Sequence, residues 1–157
     1  MRRRPACLIL LLLATTAPAQ TRPALTVVRS GEPAVAFATE VLAALPAITQ
    51  TVGFGAGHAD AAEWRGPLLW DVLLRAGVVD ATKPAEQVRM VARVIGADGY
   101  RAVFALAELS PAFGGRPVQL ALARNGQSLP DQALRLIAPG EQRAGRSVRD
   151  VVRVEVE

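Results

Sequence analysis

Short β-branched segments separated by glycine-marked turns are the feature that most restricts how this chain can fold. Leu25 to Arg29 is β-branched and alternating, as a half-buried strand is. Asp98-Gly99 and Asn125-Gly126 each lie between two β-rich segments, and both dipeptides favour tight hairpin turns. The pattern predicts an α+β domain with a β-rich mixed sheet, curled or closed into a barrel, and a few short helices.

The clearest helix is predicted over Leu68 to Ala76. Pro67 precedes it, where a missing backbone N–H is harmless, and Gly77 follows its end. Thr39 is predicted to cap a second, shorter helix, which Pro46 stops. Further strands are predicted over residues 35–37, 48–54, 88–95, 100–105, 118–123, 134–138 and 148–156.

Residues 1–19 have the three parts of an export signal. Arg2 to Arg4 form a positive region, Ala6 to Ala14 is an apolar core, and Ala17-Pro18-Ala19 offers a cleavage site. The apolar run is shorter than the roughly 20 residues that a membrane-spanning helix needs. We therefore expect one mature domain over residues 20–157, periplasmic or secreted, with no stable membrane insertion after signal removal.

The composition of the mature part excludes two classes of function. The formal charge of +4 includes Arg2 to Arg4, so removing the signal leaves about +1. With no basic stripe interleaved with aromatic residues, no nucleic-acid partner is expected. Cys7 is the only cysteine and leaves with the signal, so the mature domain has no disulfide and no thiolate ligand.

A set of short motifs runs in order through the mature chain. Its members are Trp64-Arg-Gly66-Pro67, Gly96-Ala-Asp98-Gly99-Tyr100, Asn125-Gly126, Leu134 to Gly140 and Gly145 to Arg149. With these spacings the set resembles the molybdopterin-binding domain of the sulfite oxidase family, in particular small exported bacterial members built from that domain alone. The resemblance implies that family's fold, molybdopterin as cofactor and oxidoreductase activity.

One departure from the family concerns the metal. In catalytic members, a cysteine thiolate in the loop after the early strand binds molybdenum, whereas Thr51 to His58 here contains no cysteine. Thiolate is the soft ligand that such a centre needs. No cofactor is therefore expected from the residues themselves, and molybdopterin is implied by the resemblance alone. Whether the chain is an enzyme stays open.

Candidate binding residues lie in two loops. His58, with Asp60 and Glu63 nearby, offers metal ligands or a proton carrier, and an ordinary loop histidine is the alternative. In the family, basic residues in the loop before the last strand meet the anionic pterin phosphate; a solvated basic turn is the alternative. The resemblance extends this cofactor-binding role to Arg143, Arg146, Ser147 and Arg149.

Three functional interpretations follow. The preferred one is a non-catalytic domain that binds a small anionic ligand or an envelope protein partner at the former cofactor cleft, between the His58 loop and the Arg143–Arg149 loop. The second is a molybdopterin-dependent oxidoreductase that retains its cofactor without cysteine ligation. The third is an envelope protein-interaction module with a closed pocket.

The export signal makes a direct prediction about the mature N-terminus. Because small residues precede Gln20, we expect the protein recovered from its native host to begin near this residue and to be soluble. Edman sequencing or intact-mass measurement tests this. Recovery of the protein in membranes with Met1 retained would contradict it.

Overall fold

The computed structural model describes residues 23–54 and 60–157, which form eleven strands and four short α-helices. The strands are β1 Leu25–Arg29, β2 Val35–Phe37, β3 Ala47–Val52, β4 Ala62–Pro67, β5 Val91–Gly96, β6 Arg101–Ala105, β7 Gln119–Ala121, β8 Ala123–Arg124, β9 Gln127–Ser128, β10 Arg135–Ile137 and β11 Val151–Val156. The helices are α1 Thr39–Ala43, α2 Leu69–Arg75, α3 Pro84–Gln87 and α4 Leu106–Leu109. Short 3-10 turns span Pro130–Gln132 and Ala144–Arg146.

The largest sheet has five strands in the order β2-β1-β11-β5-β6. Strands β1 and β11 are parallel, with Thr26 opposite Arg153, and the other neighbours are antiparallel. The β5–β6 hairpin turns at Gly99, whose φ of +81° lies in the left-handed region that glycine adopts without strain. Alternate residues such as Leu25 and Val27 are fully buried, so one face of this sheet carries the main core.

Two smaller sheets lie beside it, β3-β4-β8-β9 and β10-β7. They meet where β4 crosses β7: the N–H of Leu122 donates to the carbonyl of Arg65 at 2.9 Å, and Leu68 bridges Gln119. A Cβ atom on Gly66 would lie 1.9 Å from the carbonyl oxygen of Leu120. Only glycine fits at this crossing, because any side chain would occupy the space of the opposite backbone.

The apolar side chains form a main core and a small core. The main core packs α2 and α4 against the five-stranded sheet and one face of the β7–β10 pair, and it includes Leu25, Val27, Leu69, Leu73, Phe104, Leu106, Leu120, Leu136 and Val154. The small core lies on the other side of β7 and β10 and consists of Val52, Ala62, Trp64, Ala121 and Ile137, with Phe54 and Leu129 packed against it.

Most sequence-based predictions of the elements agree with this structure. Strands β1 and β2 have the predicted bounds, and α2 lies within the predicted helix, with Gly77 at φ +71° after its end. The α+β class with short helices is confirmed, but among the described residues the sheets do not close into a barrel. The predicted cap at Thr39 is wrong, since Ala38 occupies the cap position and Thr39 begins the helix.

No helix within residues 23–54 and 60–157 has both the length and the apolar character needed to cross a bilayer.

The crossing at Gly66 makes a stability prediction. Gly66→Ala should lower the free energy of unfolding by about 3 kcal/mol or more, because the new methyl group displaces the Leu120 carbonyl. Urea denaturation followed by circular dichroism measures this change. Gly145→Ala is the control, with no atom within 4 Å of the added Cβ, and should change stability by less than about 0.5 kcal/mol. Equal stability of the two variants would contradict the close crossing.

Candidate functional site

Trp64 is the centre of the candidate site. It projects from β4 into the small core, where 5% of its surface is exposed. Its indole N–H points at the carbonyl oxygen of Val52 at 3.4 Å, so the ring is anchored to the end of β3. The buried indole offers a rigid aromatic surface on which cationic groups can stack.

Two arginines lie over this ring, and a third lines the same cavity. Arg124 on β8 is paired with Trp64 across the sheet, and its Cζ lies 5.3 Å from the ring centroid. Arg135 on β10 places its Cζ at 5.1 Å. Arg149, in the loop before β11, lines the same cavity of about 170 Å³. We call this cavity the arginine pocket; its lining is Trp64, Arg124, Leu129, Pro130, Ala133, Leu134, Arg135, Arg149 and Asp150.

The charged form of Arg135 is disfavoured by its surroundings in the pocket. Burial lowers the pKa of its guanidinium, and the charges of Arg149 and Arg124 lower it further. Asp150 and Asp60 act in the opposite direction without reversing the shift. The Nε atom of Arg135 is buried and has no hydrogen-bond partner in the described part of the chain. A buried charged donor without a partner is unfavourable, so the Nε of Arg135 could bind an acceptor that the described residues do not supply.

Asp150 joins the pocket through an unusual backbone. Its φ of +47° lies in the left-handed region, which costs a non-glycine residue up to about 1–2 kcal/mol. Its carbonyl accepts the N–H of Ala97 at 2.8 Å, which ties the β5–β6 hairpin to the loop carrying Arg149. A strained backbone conformation of this kind persists only where the surrounding structure stabilises it, and such conformations are often found at functional sites.

Arg146 lies in different surroundings from Arg149, although three positions separate them. Its guanidinium donates to Glu141 at 2.7 Å and to Glu108 at 3.0 Å, and it stacks over Phe104 with the Cζ 4.7 Å from the ring centroid. Burial lowers the pKa of Arg146, but the hydrogen bonds that it donates to Glu108 and Glu141 raise this pKa above its usual range. These two carboxylates already serve Arg146 as acceptors.

Arg116 completes what we call the carboxylate network, formed by Glu108, Arg116, Glu141 and Arg146. Arg116 donates to Glu108 at 3.3 Å, to Glu141 at 3.1 Å and to the carbonyl of Pro139 at 2.8 Å. Each carboxylate therefore accepts from both arginines. The network fastens the loop between β10 and β11 to α4, which is a structural task.

The other predicted residues are distributed as follows. Ser147 is buried, and its Oγ accepts the backbone N–H of Ala138 at 3.2 Å, which extends the pairing beyond β10. Arg143 is exposed on the surface of the loop. His58 lies outside the described residues. Of the described candidates, Arg149 alone lines the arginine pocket.

Two pocket arginines, Arg124 and Arg135, were not among the sequence candidates. Arg135 interrupts the apolar segment from Leu134 to Ala138, and a charged residue inside an apolar strand indicates a buried polar role. Arg124 precedes the Asn125-Gly126 turn and gives no comparable signal. Within residues 23–54 and 60–157, no group of three or more histidine, cysteine or carboxylate side chains is arranged to hold a metal ion.

Comparisons with known proteins agree with this architecture. The fold is similar to the crystal structure of the sulfane dehydrogenase SoxCD from Paracoccus pantotrophus, with a TM-score of 0.62 and 20% identity, over 84% of this chain and 37% of that one. This chain thus spans just over a third of that neighbour's length. A search of curated proteins finds no match.

A family model decides the classification. The similarity to that structure, at 20% identity, shows the fold. The model described as the oxidoreductase molybdopterin binding domain matches residues 22–157. The chain belongs to this family. The resemblance inferred from the sequence motifs is therefore confirmed.

The residues present fit only part of the cofactor that the family implies. The unpartnered Nε of Arg135 and the neighbouring arginines suit an anionic phosphate group. The molybdenum of this cofactor would have no thiolate ligand, because the sequence contains no cysteine after Cys7. We therefore derive no chemical step through molybdenum from this chain.

The contrast between Arg146 and Arg149 makes a second stability prediction. Arg146→Ala should lower the free energy of unfolding by about 1–2 kcal/mol, because it leaves two carboxylates without one of their partners. Arg143→Ala, at an exposed position of the same loop, is the matched control and should stay within about 0.5 kcal/mol of the parent. Thermal unfolding measures both. An Arg146 variant as stable as the Arg143 variant would exclude a structural role for the network.

Proposed function

We propose that this protein binds a small anionic ligand in the arginine pocket and acts outside the cytoplasm. The observation that carries the proposal is the buried, unpartnered Nε of Arg135, held beside two further guanidinium groups. Export rests on the N-terminal signal pattern alone.

The electrostatics of the pocket favour an anion over a neutral ligand. Arg149 and Arg124 both lower the pKa of Arg135, which means that the three like charges repel one another in a partly dry site. A phosphate, sulfate or carboxylate group would relieve this repulsion and accept from Nε at the same time. Each charge-assisted contact contributes on the order of 1.5–3 kcal/mol.

We propose that the domain does not catalyse oxygen-atom transfer. Such chemistry in this family needs a metal held by a soft ligand, and residues 8–157 contain no cysteine. The arginine pocket remains a suitable site for the anionic part of a pterin or of another small molecule. A molybdopterin enzyme without cysteine ligation is the alternative that metal analysis would reveal.

Calorimetric titration with inorganic phosphate and sulfate tests the binding proposal. Arg149→Ala should weaken binding by about 10- to 100-fold, because one charge-assisted contact is lost. Its melting temperature should change little, since Arg149 is exposed. Arg153→Ala is the control: this arginine lies on β11, where it donates to Glu155 at 2.7 Å, away from the pocket lining. Equal anion affinities in the Arg149 variant, the Arg153 variant and the parent would refute the proposal.

Metal content provides a separate test. Protein expressed in a host that makes molybdopterin should contain no stoichiometric molybdenum, because the soft ligand is missing. Inductively coupled plasma mass spectrometry of the purified protein measures this. Stoichiometric molybdenum would contradict this prediction and would favour the enzyme alternative.

A further inference from the structure

Strand β3 is an edge of the sheet β3-β4-β8-β9 and is paired on one side only. The carbonyl of Arg65 in β4 accepts the N–H of Leu122, so Arg65 directs its backbone groups away from β3. Hydrogen bonds between β3 and β4 are therefore made by the alternate pairs, such as Gln50 and Trp64. The remaining residues of β3 direct their N–H and carbonyl groups outward, where no described residue bonds to them; they are Ala47, Thr49 and Thr51.

The other edge strands of the described sheets are short or already bonded. Strand β2 has three residues and β9 has two. Along β6, the N–H of Ala105 donates to Glu108 at 3.0 Å, and the carbonyl of Val103 accepts from Arg146 at 3.4 Å. The outer side of β10 is bonded by the segment that precedes β11, and β7 crosses β4. With six residues, β3 is therefore the longest described edge strand whose outer side has no partner.

The composition of β3 favours pairing with another strand. Natural edge strands usually prevent such pairing by means of charged residues, proline or bulges. The segment Ala47-Ile-Thr-Gln-Thr-Val52 has no charge and no proline, and its register with β4 is regular. Thr49 and Thr51 are exposed β-branched residues, which suit a strand that is paired on both sides. The edge is therefore suited to accept a further extended strand through main-chain hydrogen bonds.

We propose that two copies of this chain associate through β3, in antiparallel pairing about a two-fold axis at Thr49. The two four-stranded sheets then form one continuous sheet across the dimer. This inference goes beyond the proposed anion binding and is independent of it, because no residue of β3 lines the arginine pocket.

The spacing of the outward groups identifies the partner strand as β3 of a second copy. Residues 47, 49 and 51 are symmetric about Thr49, so an antiparallel copy places Thr49 opposite Thr49 and Ala47 opposite Thr51. Each of these pairs exchanges two N–H···O bonds, so every outward group finds a partner. Because β3 is uncharged, no like charges meet across the axis. Such a self-complementary contact covers the edge of both copies at once.

Charged residues at the axis test this pairing. Thr49→Lys brings two like charges face to face, so it should raise the dissociation constant of the dimer about tenfold or more, and Thr49→Glu should do the same. An equimolar mixture of the two variants should recover the affinity of the parent, because lysine then faces glutamate. Ala36→Lys is the matched control, since Ala36 is exposed on the short edge strand β2, and it should dimerise like the parent.

Sedimentation velocity measures each sample. The parent should show a reversible dimer over about 10–500 μM, because a contact one strand wide is small and a micromolar dissociation constant is expected. Hydrogen exchange provides a second readout: the amides of Thr49 and Thr51 should exchange more slowly in the dimer than in the monomer. Recovery in the mixture shows that the single variants are folded.

Three results would overturn the inference. A parent that stays monomeric over this range would exclude the dimer and leave β3 to a strand from another protein. A mixture that associates no better than Thr49→Lys or Thr49→Glu alone would exclude an axis at Thr49. If Ala36→Lys weakened the dimer as much as Thr49→Lys does, the effect would reflect added charge in general and not pairing through β3.

Discussion

The candidate site depends on the close backbone crossing between β4 and β7. Gly66 lacks a side chain, so the Leu120 carbonyl approaches its Cα within the space that a Cβ atom would fill. The crossing lets β4 carry Trp64 over the same face that β10 supplies with Arg135. Four strands from distant parts of the chain thus contribute to one small core, and the pocket opens at its margin.

The loop between β10 and β11 divides its basic residues between two tasks. Arg146 reaches the carboxylates of Glu108 and Glu141, which hold its charge in a fully paired state. Arg149 emerges beyond the buried Ser147 and Val148, on the side of the pocket, where it adds to the positive charge around Arg135. One arginine is paired within the fold and the other contributes to an unpaired site, so proximity along the chain does not imply a common role.

The sequence predicted the elements whose signals are local. The outer strands β1 and β2 and helix α2 follow from alternation, helical spacing and their flanking residues. Strand β4 was not predicted, because Gly66 and Pro67 normally interrupt strands and here reflect the crossing instead. The family was recognised from its motifs and is confirmed. The pairing of Arg146 could not be predicted, because its acceptor Glu108 lies 38 residues away on α4.

Strand β7 separates two environments within three residues. Leu120 belongs to the main core, whereas Ala121 and its alternation partner Gln119 face the small core. A shift of the β7–β10 pairing by one residue would move a leucine onto the polar face and a carboxamide among the leucines of the main core. Such a misaligned pairing would lose favourable packing in the main core and in the small core. The observed register of this short strand pair is therefore strongly preferred. Gln119, together with Arg135 of the arginine pocket, therefore also favours the correct alignment of the two strands.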